Sequence, residues 1–207
     1  FRRVLFRSHF FVNDIKADLH DPDTVYVVVD DHKSGDFSPY ILKSENRGRR
    51  WSSISGNLPE RAILWRVVQD HVNPHLLFVG AETGVFFTVD GGSQWTRLAG
   101  GVPTIAFRDL VIQTRENDLV GATFGRSFYI LDDYSPLREV TENMLQNDSV
   151  LFRVRKTRWY VPKRPLGCDD EGCTGAQGDE WGSAIGARVP SARLRPPRRR
   201  TCSRSSA

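Results

Sequence analysis

The chain is poor in cysteine. Its 207 residues hold three, Cys168, Cys173 and Cys202, and none lies in the first four-fifths of the sequence. A disulfide framework is therefore excluded for that part; Cys168 and Cys173 are spaced to close one small surface loop in an oxidising compartment. Apolar runs long enough to cross a bilayer are lacking, so no membrane span is expected. There is no glycine-rich phosphate loop and no strand-turn nucleophile motif. The five histidines form no metal-ligand grouping. His71 and His75 stand four apart, but Asn73 and Pro74 make that stretch a turn rather than a helix face. The acidic pairs Asp21/Asp23 and Asp132/Asp133 read as turn chemistry rather than calcium ligands. No metal and no cofactor are expected.

Acidic residues are also lacking where the basic ones collect. Residues 182–207 hold seven arginines and no carboxylate, and Arg2, Arg3 and Arg7 add three more at the start. Taking these ten from the 29 basic side chains leaves 19 against 25 acidic ones, so the overall charge of +4 becomes −6 for the body. The basic character belongs to the ends and marks no folded patch, and a nucleic-acid partner is not expected. Phe1–Ser8 reads as a non-native junction. Residues 166–207 read as a disordered, frame-shifted tail, because composition dominated by Ala, Arg, Pro, Ser and Gly cannot bury enough apolar surface to offset ordering.

What is present is a repeat. Ser44, Asn46, Gly48 and Trp51 return as Thr88, Asp90, Gly92 and Trp95, each 44 residues on. A faint third copy lies 42 further, around Asp132–Leu137. A fixed period of about 40–45 residues marks stacked four-stranded units. Two strand-like runs precede each copy: 24–29 and 40–43, 76–79 and 85–88, 118–122 and 127–131. A first strand opens each unit (12–15, 63–68, 106–112), and a fourth is expected at 51–54, 95–98 and 137–140. Several runs are apolar at consecutive positions, which suits sheets covered on both faces. Short Gly/Pro hinges at 56–59 and 100–103 join the units.

These counts predict an all-β chain, a partial β-propeller of three four-stranded antiparallel blades (9–57, 58–101, 102–140) from an originally larger propeller. A connector at 141–165, with a short helix after Thr141 and a strand at 149–154, precedes the tail. The repeated motif falls in the turn between third and fourth strands. Asn46 or Asp90 accepts backbone N–H groups there, Gly48 or Gly92 permits positive φ, and Trp51 or Trp95 wedges between sheets.

The motif at 44–51 and 88–95 resembles the Asp-box, or BNR repeat, of Ser/Thr-x-Asp-x-Gly-x-Thr-Trp pattern. Asn46 stands for Asp, and Arg50 and Gln94 stand for Thr. Together with 102–104, 108–112 and 123–133, it resembles the closing blades of bacterial sortilin-like, BNR-repeat proteins often labelled glycosyl hydrolases. The resemblance covers roughly residues 10–165. It implies further blades and an adjoining domain in the parent chain, and a periplasmic or secreted address. It implies no single chemistry, because fold does not dictate function.

Binding residues concentrate on loops carried by a rigid scaffold. The loops between second and third strands share one end of the blades with the linkers. Asp31, His32, Asp36, Glu82 and Arg126 are the ligand-surface candidates there. The leading expectation is a non-catalytic platform binding protein or glycan through this face. The alternative is a glycoside hydrolase domain, sialidase- or xyloglucanase-like, with a site shared with further blades. Such an enzyme needs two carboxylates roughly 5–10 Å apart. Asp36, Glu82 and Asp109 are the ones on offer, and no arginine cluster with a nucleophilic tyrosine is assigned. Asp109, beside Arg108, reads as half of a structural ion pair, and Asp90 as a turn acceptor.

Overall fold

A computed structural model of the chain describes residues 10–145 and 149–152. The described residues up to Val150 belong to one compact unit, and Leu151 and Phe152 belong to a second. The junction at 1–8, the cysteines and the arginine-rich tail lie outside the described residues.

Among the described residues eleven strands form three antiparallel sheets, each from consecutive strands. The first sheet runs β1 (Phe11–Ala17), β2 (Val25–Asp31), β3 (Asp36–Ser44) and β4 (Ser52–Ser53). The second runs β5 (Leu64–Gln69), β6 (Leu77–Ala81), β7 (Gly84–Thr88) and β8 (Thr96–Arg97). The third pairs β9 (Phe107–Gln113), β10 (Asp118–Thr123) and β11 (Phe128–Leu131). The sheets contact one another mainly through their first two strands: β1 and β2 on β5, then β5 and β6 on β9. Successive meanders packed face to face with the first strands innermost are blades of a β-propeller.

The core lies between blades rather than within them. Val28, Ile41, Leu64, Val67, Leu77, Val79, Phe86 and Trp95 fill the space between the first and second blades. Leu76, Phe78, Val85, Phe87, Phe107, Leu110, Leu119 and Tyr134 fill that between the second and third. Along β6 and β7 alternate residues go to opposite clusters, so both strands are apolar at nearly every position and buried throughout. Gly80 interrupts the run because a Cβ there would stand 2.8 Å from the Phe107 carbonyl oxygen of the next blade.

The fourth strands are short, and Trp51 and Trp95 sit just before β4 and β8 rather than in them. In the third blade the segment expected as a fourth strand coils instead. Residues Ser135–Glu139 form a 3-10 helix with Pro136 in its first turn, where the fixed φ of proline suits a helical start. The turn after Thr141 is present as α1 (Glu142–Leu145), the Met144 N–H bonding the Thr141 carbonyl. Residues 149–152 of the expected connector strand are unpaired with any strand, and its remainder lies outside the described residues.

Candidate functional site

Register places the two ends of each blade. Phe11 pairs with Asp30, Leu64 with Ala81 and Phe107 with Thr123, so each first strand begins where the second–third loop begins. Val25 pairs with Ser44 and Leu77 with Thr88, so the repeated turns lie at the opposite end.

At that opposite end the two copies form the same turn. The Asp90 carboxylate accepts the Thr88 hydroxyl at 2.6 Å and the N–H groups of Gly92, Ser93 and Gln94 at 3.2, 2.8 and 3.0 Å. Burial pushes this carboxyl up, but those donors outweigh it and hold it below the usual carboxylate range. Asn46 accepts the Ser44 hydroxyl at 3.2 Å and the Arg50 N–H at 2.7 Å. Gly48 and Gly92 donate to the Ser44 and Thr88 hydroxyls and hold φ of 79° and 108°. Trp95 is buried, its ring N–H reaching the Ile54 carbonyl of the previous blade at 2.8 Å, while Trp51 is half-buried.

A third copy is visible in the hydrogen bonds. The Arg47, Gly91 and Tyr134 N–H groups bond the carbonyls of Asp23, His75 and Asn117 before the second strand of their blades. Asp133 is thus the counterpart of Asp90, 43 residues on, and it accepts from Ser135. Leu131 replaces the hydroxyl residue, which is why sequence shows this copy only faintly.

The candidate residues lie on the loop end, distributed over three blades. Asp31 is buried and accepts the Ser34 hydroxyl at 2.7 Å, closing the short 3-10 turn His32–Ser34. His32 Nδ1 bonds the buried carboxylate of Asp30, whose other oxygen has no hydrogen-bond partner among the described residues. Asp36 accepts the Ser38 N–H at 3.0 Å and the Tyr40 hydroxyl at 2.7 Å. Glu82 and Arg126 are exposed in the corresponding loops of the second and third blades.

The first strands carry a feature that sequence reasoning missed. Each has a β-bulge near its start, and the extra residues are Asn13, Trp65 and Arg108. A bulge leaves one residue unpaired and re-aims its side chain. Asn13 donates to the Leu64 carbonyl at 2.7 Å, and the Arg108 guanidinium lies over the Trp65 ring, 3.6 Å from its centroid. Phe124, 70% exposed, stands 5.5 Å from the same guanidinium. Two further cation–ring contacts lie at this end, Lys33 over Phe11 at 4.1 Å and Arg61 over Phe37 at 4.9 Å.

The residues after the bulges are Asp14, Arg66 and Asp109, one per blade at matching positions. Arg66 bridges the other two, Nε to Asp109 at 2.7 Å and Nη1 to Asp14 at 3.1 Å. Its guanidinium is held above its ordinary pKa, chiefly by the Asp109 hydrogen bond. Asp109 therefore is in an ion pair, but with Arg66 of the neighbouring blade and not with the adjacent Arg108. Asp14 also accepts the Val67 N–H. Among the described residues no group of three His, Cys, Asp or Glu could hold a metal, and no helix is long and apolar enough to cross a membrane.

The fold and this face define a propeller-type blade array. No protein-family model matches the chain. A 97-residue stretch is 29% identical to a xyloglucanase of Paenibacillus sp, covering 42% of this chain and 9% of that protein. Among solved structures, an ancestral GH74 enzyme aligns at 16% identity with TM-score 0.48, over 59% of this chain and 19% of that one. The Niastella koreensis GH74 enzyme aligns at 18% and 0.47, over 57% and 21%. YCF48 bound to D1 peptide aligns at 17% and 0.40, over 63% and 43%. The chain thus spans under half the length of each.

Proposed function

We propose that the chain is a recognition module that binds a glycan or protein ligand through its loop face, without catalysis of its own. The observation that carries this is the row of cation–ring contacts at the loop end: Lys33/Phe11, Arg61/Phe37 and Arg108/Trp65. Flat rings with cations pre-seated on them offer stacking surface and directed donors together, the mixture that ligand sites use. The xyloglucanase stretch favours a carbohydrate over a protein. The candidates Asp31, His32, Asp36, Glu82 and Arg126 lie at this end of the blades; Asp31 also holds its own loop in shape. Further blades and an adjoining domain of the parent chain are proposed as partners, and an extracytoplasmic address goes with a glycan ligand.

The test is a glycan array probed with the full 207-residue chain and its Arg126→Ala variant. Capture of at least one glycan class, weakened in the variant, is expected. If no glycan and no protein is captured, the reading fails; undiminished capture by the variant removes Arg126 from the footprint.

A second reading, a glycoside hydrolase with its site shared with further blades, is favoured by the xyloglucanase stretch alone. Asp36 and Asp109 already accept hydrogen bonds from Ser38, Tyr40, Arg66 and Leu110. Turnover of a polysaccharide that is lost in Glu82→Gln or Asp36→Asn would establish it.

A further inference from the structure

Several of the described arginines are spent. Arg66 bridges Asp14 and Asp109, Arg138 grips Asp70, and Arg97 donates to Thr83 and Thr104. Arg108 differs. It is exposed, and among the described residues it donates no hydrogen bond and makes no ion pair. The carboxylate next to it in sequence, Asp109, is taken by Arg66. Its guanidinium lies instead over the Trp65 ring, 3.6 Å from the centroid, with the Phe124 ring 5.5 Å away.

That combination has a chemical consequence. Stacking covers a face of the guanidinium and leaves the N–H donors at its edge, in the plane. A planar carboxylate meets such an edge through two parallel hydrogen bonds. The side-chain order that such a contact requires is already imposed by Trp65, which lowers the entropic cost of binding. Beside it lies an apolar surface. Phe124 is 70% exposed. An aromatic ring of this kind takes the C–H face of a pyranose. A carboxylate and a pyranose face are joined in one unit in a uronic acid.

We infer that Arg108, Trp65 and Phe124 form a subsite for a carboxylated sugar, a uronate-bearing oligosaccharide. The inference rests on the glycan reading above and specifies its ligand. Asp109 is held off the ligand's carboxylate by Arg66, so the bridge across the three first strands also keeps the subsite cationic. Replacing Arg108 by lysine keeps the charge but loses both the planar group over the ring and the paired donors.

The experiment is calorimetric titration of the full chain with an oligogalacturonide and with the same oligosaccharide fully methyl-esterified. The expected result is that the acid binds about tenfold tighter or more than the ester, the order expected from a charge-assisted bidentate pair. Arg108→Gln abolishes the preference, Arg108→Lys retains only a minor part of it, and Phe124→Ala weakens both forms. Far-ultraviolet circular dichroism and melting temperature check that each variant is folded. Equal binding of acid and ester overturns the carboxylate inference and leaves the glycan reading standing. A preference that survives Arg108→Gln places the carboxylate elsewhere and overturns it too. Binding of neither form overturns it, while the neutral members of the glycan array decide the broader reading separately. Capture of a polyglutamate peptide but not of the oligogalacturonide assigns the site to an acidic protein segment instead.

Discussion

The Tyr134 hydroxyl donates to the Asp70 carboxylate across 2.6 Å, and both residues are almost wholly buried. Tyr134 follows the last strand of the third blade, and Asp70 follows β5 in the second. The same carboxylate receives Arg138 through two nitrogens at 2.8 Å and the N–H groups of Val72 and Asn73. The Tyr134 ring meets Phe78 edge-on at 5.1 Å. Where the second blade uses Trp95 to grip the first, the third uses this polar cluster to grip the second.

Tyr134→Phe keeps the ring contact and removes one donor to a buried charge. A loss of about 1–3 kcal/mol in urea unfolding is expected. Arg138→Leu leaves Asp70 buried without its cation, and the expected loss is larger, about 3–5 kcal/mol. Equal, negligible effects of both would show that the third blade is held by its apolar contacts alone.

The same cluster gives stability a pH dependence. Burial pushes the Asp70 carboxyl up, but Arg138, Tyr134 and Asn73 outweigh it and lower it from 3.8 to about 2. A depressed acid contributes stability that is fully present above its unfolded value and is lost as pH falls through its folded value. The window is therefore pH 4 down to 2, and the contribution lost is about 2 kcal/mol. The stability difference between the parent and Asp70→Asn is expected to shrink across that window and to stay constant from pH 5 to 7, as read by chemical denaturation at each pH.

The repeated turn tolerates an amide better than nothing. Asn46 performs in one copy what Asp90 performs in the other. Asp90→Asn should cost under about 1 kcal/mol, while Asp90→Ala, which takes the acceptor from the Ser93 and Gln94 N–H groups, should cost about 1–3 kcal/mol. A guanidinium melt of the two variants checks the order.

Glycine positions differ in what surrounds them. At Gly92, φ is 108° and an added Cβ would lie 2.7 Å from Ile54 Cβ of the first blade; at Gly35, φ is 85° with nothing within 4 Å. Gly92→Ala should therefore lower the melting temperature well beyond the shift caused by Gly35→Ala, which reports backbone strain alone, about 1 kcal/mol. Equal shifts in thermal melts would mean that the blade contact relaxes freely.

Arg66→Met removes the cation from Asp14, which is 6% exposed, and from the half-exposed Asp109. A loss of about 3 kcal/mol is expected, since breaking a buried pair leaves an uncompensated charge. Arg66→Met combined with Asp14→Leu should recover part of it, which a double-mutant cycle measures.

The blade period and the turn chemistry were legible because they are local. Ser44 to Trp51 and Thr88 to Trp95 each close hydrogen bonds over four residues or fewer, so residue type at fixed spacing carries the information. The consecutive apolar positions of β6 and β7 announced two covered faces for the same reason. What sequence could not show was anything set by register or by the next blade. One extra residue at Asn13, Trp65 or Arg108 leaves no mark in a strand pattern, yet it re-aims three side chains and creates the Arg108 stack. Asp109 lies beside Arg108 in the chain but bonds Arg66, 43 positions away, because sheets packed face to face bring matching levels of their first strands together. The amino-acid sequence by itself determined that there would be blades and where they turn; the stacking of those blades decided which charges meet and left Arg108 on a ring rather than on an anion.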